Sequence, residues 1–253
     1  MTYKPPFTIT DSALNAIVEI SEMLGRWSAE TKGNLTPHLR RNNLIRTIHA
    51  SLAIENNSLS EKQVSAVIDG KKILGAQREI HEVKNAFATY EKMQNWQPSS
   101  LEDLLEAHEI LMSSLVDEAG KFRRGLVGVY SGDTLVHMAP PADRVPHLMQ
   151  DLLNWLGKTD THPLVASCVF HYEFEFIHPF SDGNGRMGRL WQTLILSKWQ
   201  PLLAFLPVET VVYEQQNQYY QALGASDKVG DSTLFIEFML NALRISMQEV
   251  LDV

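Results

Sequence analysis

The chain has little with which to build a covalent scaffold or to cross a bilayer. Its 253 residues contain one cysteine, Cys168, so no internal disulfide can form. The neighbours Val165, Val169 and Phe170 mark that thiol as a packed side chain. Apolar residues make up 44% of the sequence, but no apolar run approaches the roughly 18 residues that a membrane span needs. The opening MTYKPPFTIT lacks the basic-then-apolar pattern of a signal peptide, and a cytoplasmic address is the expectation. Basic residues are also in deficit, with 22 Lys and Arg against 30 Asp and Glu. The resulting formal charge of −8 argues against a broad nucleic-acid surface, though a small cationic pocket is compatible with it. Internal repeats and low-complexity stretches are missing too.

What is present is mostly helical pattern, in a chain long enough to bury a sizeable core. A first helix spans Ser12 to Trp27 and meets a polar break at Thr31 to Asn34. Thr36 then reads as an N-cap with Pro37 at the first helical position, and Leu44, Ile48 and Leu52 form a stripe spaced by four. That helix should stop at Asn56-Asn57, since Asn tolerates a left-handed cap. Ser60 and Gln63 make a capping-box pattern for a short helix ending before Gly70. Ile80, Val83, Phe87 and Tyr90 mark another helix. Leu101, Leu104, Leu105, His108, Leu111 and Met112 mark the next, capped by Ser100. From Gly125 to Met138 the pattern changes: Val127, Val129 and Tyr130, then Leu135 and Val136, flank a Ser131-Gly132-Asp133 turn, a β-hairpin signal closed by Pro140-Pro141. Helices resume at Pro146 to Leu156, at Pro163 to Ile177 and beyond Glu209. The expected fold is all-α, a helical bundle with one hairpin.

Chemistry concentrates in the twelve residues His178 to Arg189, HPFSDGNGRMGR. Met187, Leu190, Trp191, Leu194 and Ile195 recur at helical spacing, so a helix with one buried stripe should begin near Asn184. Gly183 and Gly185 stand at its start, where glycine permits positive φ and lets a ligand approach the backbone. The first turn of a helix has unpaired N–H groups and the positive end of the dipole, which makes it an anion site. Arg186 and Arg189, three apart, can fork onto phosphate oxygens. Pro179 fixes the backbone after His178, and Phe180 anchors the loop. A histidine base, a carboxylate suited to Mg²⁺, an N–H nest and two guanidiniums together suit a nucleoside triphosphate.

At every defined position this segment resembles the Fic (filamentation induced by cAMP) signature, HPFx(D/E)GNGRxxR, and the resemblance extends from about Asn34 to Leu240. It implies a Fic-type helical bundle in which the hairpin, 126–138, is a flap beside the catalytic motif, 178–189. The implied organisation is an N-terminal helical extension over 1–33, an inhibitory helix with connecting helices over 34–95, and the Fic core over 96–253. Activity by resemblance is transfer of AMP from ATP to a Ser, Thr or Tyr hydroxyl of a target protein. The related Doc proteins, which phosphorylate, usually have Lys where this chain has Gly185; the difference favours nucleotidyl transfer.

Residue by residue, the resemblance makes His178 the base that takes the hydroxyl proton. Asp182 becomes the Mg²⁺ ligand. Gly183, Asn184, Gly185, Met187 and Gly188 line ATP, with Arg186 and Arg189 on the β- and γ-phosphates. Val136, His137 and Met138 become the strand that pairs with an extended target segment. Ser51-Leu52-Ala53-Ile54-Glu55-Asn56 matches the family's inhibitory pattern (S/T)xxxE(G/N), in which Ser51, Glu55 and Asn56 hold the enzyme off and Glu55 pairs with Arg189. Tyr219 and Tyr220 resemble the tyrosines that border adenine; Ser226-Asp227 stands where some relatives have an adenine-contacting Asn. Alternatives stay open: a Glu55-oriented water could remove AMP from a modified target, or the protein could be a Fic-type regulator without strong catalysis. Metallohydrolase chemistry on His162, His171 and His178 has poor spacing. Self-modification and a homo-dimer are further possibilities; membrane and nucleic-acid partners are not expected.

Overall fold

The computed structural model describes residues 3–33, 35–131 and 134–252, with the backbone alone for 129–131 and 134–136. Eleven α-helices and one hairpin follow one another among them. The helices are α1 (Asp11–Glu30), α2 (Pro37–Ile54), α3 (Glu61–Ile68), α4 (Gln77–Lys92) and α5 (Leu101–Leu111). After the antiparallel strands β1 (Gly128–Ser131) and β2 (Thr134–Met138) come α6 (Val145–Leu156), α7 (Pro163–Ile177) and α8 (Asn184–Trp199). Three more, α9 (Val208–Glu214), α10 (Gln216–Val229) and α11 (Thr233–Leu251), complete the fold. No described helix is long and apolar enough to cross a membrane. The fold is all-α, as the sequence pattern predicts.

Local signals explain the helix starts. Thr36 accepts a hydrogen bond from Leu39 N–H with Pro37 at the first position, Ser60 and Gln63 form both halves of a capping box, and Ser100 caps α5. The turn after α2 is left-handed at Asn56, φ 68°, which places Glu55 at the helix end, aimed back across the bundle.

The central pair is α7 and α8, with α2 laid across the start of α8. A single buried stripe does not describe α8. From Arg186 to Ser197 every residue is buried, polar ones included, because neighbours surround the helix. Residues before α1 are tied to distant parts of the chain: Ser232 N–H, before α11, donates to the Pro6 carbonyl at 3.0 Å, and Tyr3 Oη donates to Glu173 of α7 at 2.7 Å. The expected Gly132-Asp133 turn lies outside the described residues.

Candidate active site

The site is the turn between α7 and α8. At its first residue the chain swings into the left-handed region: His178 has φ 50° and ψ 62°. Burial pushes its imidazole down to about 4, so the ring is neutral near neutral pH. Phe180 is fully buried and stacks on His108, ring centroids 3.6 Å apart. His108 Nδ1 accepts from Gly120 N–H at 2.9 Å, which fixes the proton on Nε2, and Nε2 donates to the Asp182 carbonyl at 3.0 Å. Asn184 braces the turn. Its Oδ1 accepts from Phe180 N–H and its Nδ2 donates to Phe180 O, both at 2.9 Å, so the side chain predicted to face phosphate is engaged inside the loop.

Gly183 caps α8 with φ 85°, as its position in the motif predicts. Gly185 is ordinary helix and needs space rather than positive φ. A Cβ built there would run into Glu55 Oε1. The Glu55 carboxylate therefore stands over the first turn of α8, where an anion would be received.

Both motif arginines are buried. Arg189, 3% exposed, donates from Nε to Ser51 Oγ at 3.1 Å and from Nη2 to the Ser51 carbonyl at 2.9 Å and Glu55 Oε1 at 2.8 Å. Burial opposes its charge, yet Glu55 and its hydrogen bond raise the guanidinium's affinity for the proton. Arg186 reaches Asp182 Oδ1 at 3.0 Å and lies 3.7 Å from Glu82. Asp182 keeps its other oxygen toward solvent, 3.2 Å from Arg78 of α4. Glu82 and Arg78 carry no motif signature; helical spacing on α4 was the only available signal.

Behind Arg189 lies a polar layer that sequence reading missed. His171 Nδ1 donates to Gln192 Oε1 at 2.6 Å, leaving Nε2 to accept from Tyr219 Oη at 3.1 Å; burial pushes this ring down to about 3. Tyr219 is thereby enclosed, 1% exposed, while Tyr220 stands open at 46%. Glu175 and Glu209 are also here. Burial raises them to about 8 and about 7, and among the described residues each leaves one oxygen without a hydrogen-bond partner. On β2, His137 turns inward, bonded to the Phe176 carbonyl at 2.8 Å and to Asp227 at 2.9 Å. Met138 faces out. Of the three expected docking residues, His137 is thus occupied within the fold, and the Val136 side chain lies outside the described residues. His162 caps α7 and stays apart from His171 and His178; no group of three metal-ligating side chains occurs among the described residues.

The helical core, with its histidine-ended helix, glycine-capped turn and buried arginine, has Fic-type architecture, and comparisons with known proteins give the same family. The sequence model of the Fic/DOC family matches residues 98–196. A crystal structure of a Fic family protein from Desulfovibrio desulfuricans G20 is 62% identical over 99% of this chain and 77% of that one, with a TM-score of 0.96. The chain belongs to the Fic/DOC family. Fic-1 (residues 134–508) of C. elegans shares the fold at 22% identity and TM-score 0.74, over 94% of this chain and 73% of that one. "Protein adenylyltransferase fic-1" of Caenorhabditis briggsae is 30% identical over 215 residues, 79% of this chain. The match spans about 40% of the length of that relative.

Proposed function

We propose that this protein transfers AMP from ATP to a hydroxyl side chain of a target protein and that Glu55 holds it off. One observation supports this above others: the Glu55 carboxylate and Ser51 occupy Arg189 directly over the first turn of α8. An ATP phosphate would need both.

In this reading neutral His178 takes the proton from the attacking hydroxyl as oxygen bonds to the α-phosphorus and pyrophosphate leaves. The N–H groups around Gly183 and Gly185 receive the phosphates, along the backbone past Met187 and Gly188, while Asn184 keeps the turn in shape. Arg186 and Arg189 take the charge of the β- and γ-phosphates. Asp182, a hard and half-open carboxylate beside the turn, is the residue that would hold Mg²⁺. When bound, the metal would neutralise phosphate charge. Tyr220, exposed where Tyr219 is enclosed, is the better adenine neighbour. We assign 34–95 to inhibition and 96–253 to catalysis, with 1–33 an extension.

Incubation with α-labelled ATP and Mg²⁺, with and without a host lysate, tests this. The Glu55→Gly variant should label itself or a target protein far more than the parent. Absence of label from both, in folded protein that binds ATP, would overturn it. Removal of AMP by a Glu55-oriented water is the second reading, favoured by the carboxylate's position over the turn; release of AMP from modified target by the parent alone distinguishes it.

A further inference from the structure

Arg123 belongs to no motif visible in the sequence, and its neighbour Arg124 provides a natural contrast. The Arg124 side chain is 85% exposed, with Glu118 at 3.9 Å. Arg123 is 3% exposed and, among the described residues, has no carboxylate partner. Backbone carbonyls surround it instead. Its Nε donates to His178 O at 2.7 Å, Nη1 to Gly125 O at 2.8 Å, and Nη2 to Pro140 O at 2.6 Å and Ile177 O at 3.3 Å. Its own N–H donates to Pro179 O at 3.0 Å. These bonds join three stretches of chain: the motif turn, the approach to β1 and the exit from β2.

A buried guanidinium without a counter-ion is expensive, so its bonds must fix something that cannot fix itself. Here that is the left-handed backbone of His178, a conformation that residues with a Cβ avoid. Two of the five bonds end on Ile177 and His178 carbonyls, whose directions set where the imidazole points. The remaining side-chain bonds end on the two feet of the hairpin.

We propose that Arg123 is a positioning residue for the His178 base, clamping the turn that aims the imidazole and fastening both feet of the flap to the same point. The inference rests on the proposed role of His178. A planar fork of five N–H donors suits four separated carbonyls; a lysine ammonium, compact and with three donors, cannot span them. Other groups that bear on the His178 ring are Glu55 from α2, His137 from β2 and the Glu175 carbonyl from α7, 3.4 Å from Nδ1. Arg123 adds a positive charge beside it, which helps keep the ring unprotonated.

The test compares Arg123→Lys with Arg124→Lys, each combined with Glu55→Gly for transfer assays. Arg123→Lys should lower kcat about hundredfold, the effect of a small misplacement of a reacting group, with ATP affinity by calorimetry unchanged. Arg124→Lys should match its parent, and added guanidinium ion should restore part of the rate of Arg123→Ala. Parent-like kcat in folded Arg123→Lys overturns the proposal, as does equal loss in both lysine variants. A second measurement does not depend on transfer: the His178 Cε1–H resonance should shift in folded Arg123→Lys, whose bonds to the Ile177 and His178 carbonyls are lost, and stay in place in Arg124→Lys. Equal resonances in all three proteins sink the idea. If Glu55→Gly transfers nothing, the functional reading has failed. The clamp is then decided by whether Arg123→Lys shifts the His178 resonance, an unmoved resonance counting against it.

Discussion

Glu55 and Arg189, 134 positions apart, meet at 2.8 Å over the first turn of the motif helix. The two ends differ in setting: the Arg189 side chain is 2% exposed and Glu55 34%. Solvent therefore discounts the pair from the 3–5 kcal/mol lost on breaking a fully buried one to about 1–3 kcal/mol. Removing the acid strands a buried cation, which an incoming phosphate would satisfy. Glu55→Gln, which keeps the length of the side chain, should therefore lower Tm without ATP and show a larger ATP-induced rise in Tm than the parent. Thermal scans across an ATP series check this, and equal shifts in both proteins would remove Arg189 from the phosphate site. The Glu55→Gly form should behave likewise, with a further loss of about 1 kcal/mol from glycine.

The second prediction separates binding from chemistry. His178→Ala should abolish AMP transfer in the Glu55→Gly background while ATP still binds, because on the proposed reading the turn and the arginines, not the imidazole, hold the phosphates. The ring's low proton affinity, about 4, also makes transfer insensitive to acid down to well below neutrality. A rate that halves with an apparent pKa near 6.5, as a free imidazole would give, contradicts the buried geometry.

Much of this was legible because it is local. Thr36 with Pro37, Ser60 with Gln63, and Ser100 each announce a helix through groups within three residues, and Gly183 announces the start of α8 in the same way. The Ser51-to-Asn56 pattern identified the partner of Arg189 by resemblance, although nothing in either segment alone encodes their meeting. Arg123, His108 and Glu175 were not legible as parts of the site, since burial and distant carbonyls give them their roles. Nothing in the sequence distinguishes Arg123 from Arg124 beside it, and only the fold tells one from the other. The same reason explains α8: its polar residues suggested an open face, but partners on α2, α4 and α7 cover them.

The third prediction concerns Asp182. Its Oδ1 is held by Arg186 and its Oδ2 by the half-exposed Arg78, which a divalent cation would have to displace. Asp182→Ala should lose Mg²⁺-dependent transfer. Arg78→Ala should bind Mn²⁺, read by EPR in the presence of ATP, at least as tightly as the parent. Undiminished Mn²⁺ binding by Asp182→Ala in the same assay would move the metal elsewhere, with Glu82 the next acid at hand.

The last prediction uses the two acids beside Arg189, the fully buried Glu209 and the largely enclosed Glu175, whose side chain is 13% exposed. Burial holds Glu175 at about 8 and Glu209 at about 7, against about 4.3 for a free glutamate. At low pH both acids are protonated in the folded and unfolded chain, and neither costs stability. As pH climbs past about 4.3 the unfolded chain releases these protons freely, while the folded chain retains them. The folded state then binds more protons, so stability falls with rising pH until the folded groups ionise near 7 and 8, and it levels off above that. Glu175→Gln removes one such group while keeping its shape. Its Tm should match the parent's in acid and exceed it at alkaline pH, with a shallower decline between. The Glu175 oxygen without a partner makes this substitution cheap, since no hydrogen bond to that atom is lost. Melting temperatures of the two proteins from acid to alkaline buffer decide the matter. A variant less stable than the parent at high pH would mean that ionised Glu175 supports Arg189 in the folded state, and the sign of the argument would be wrong.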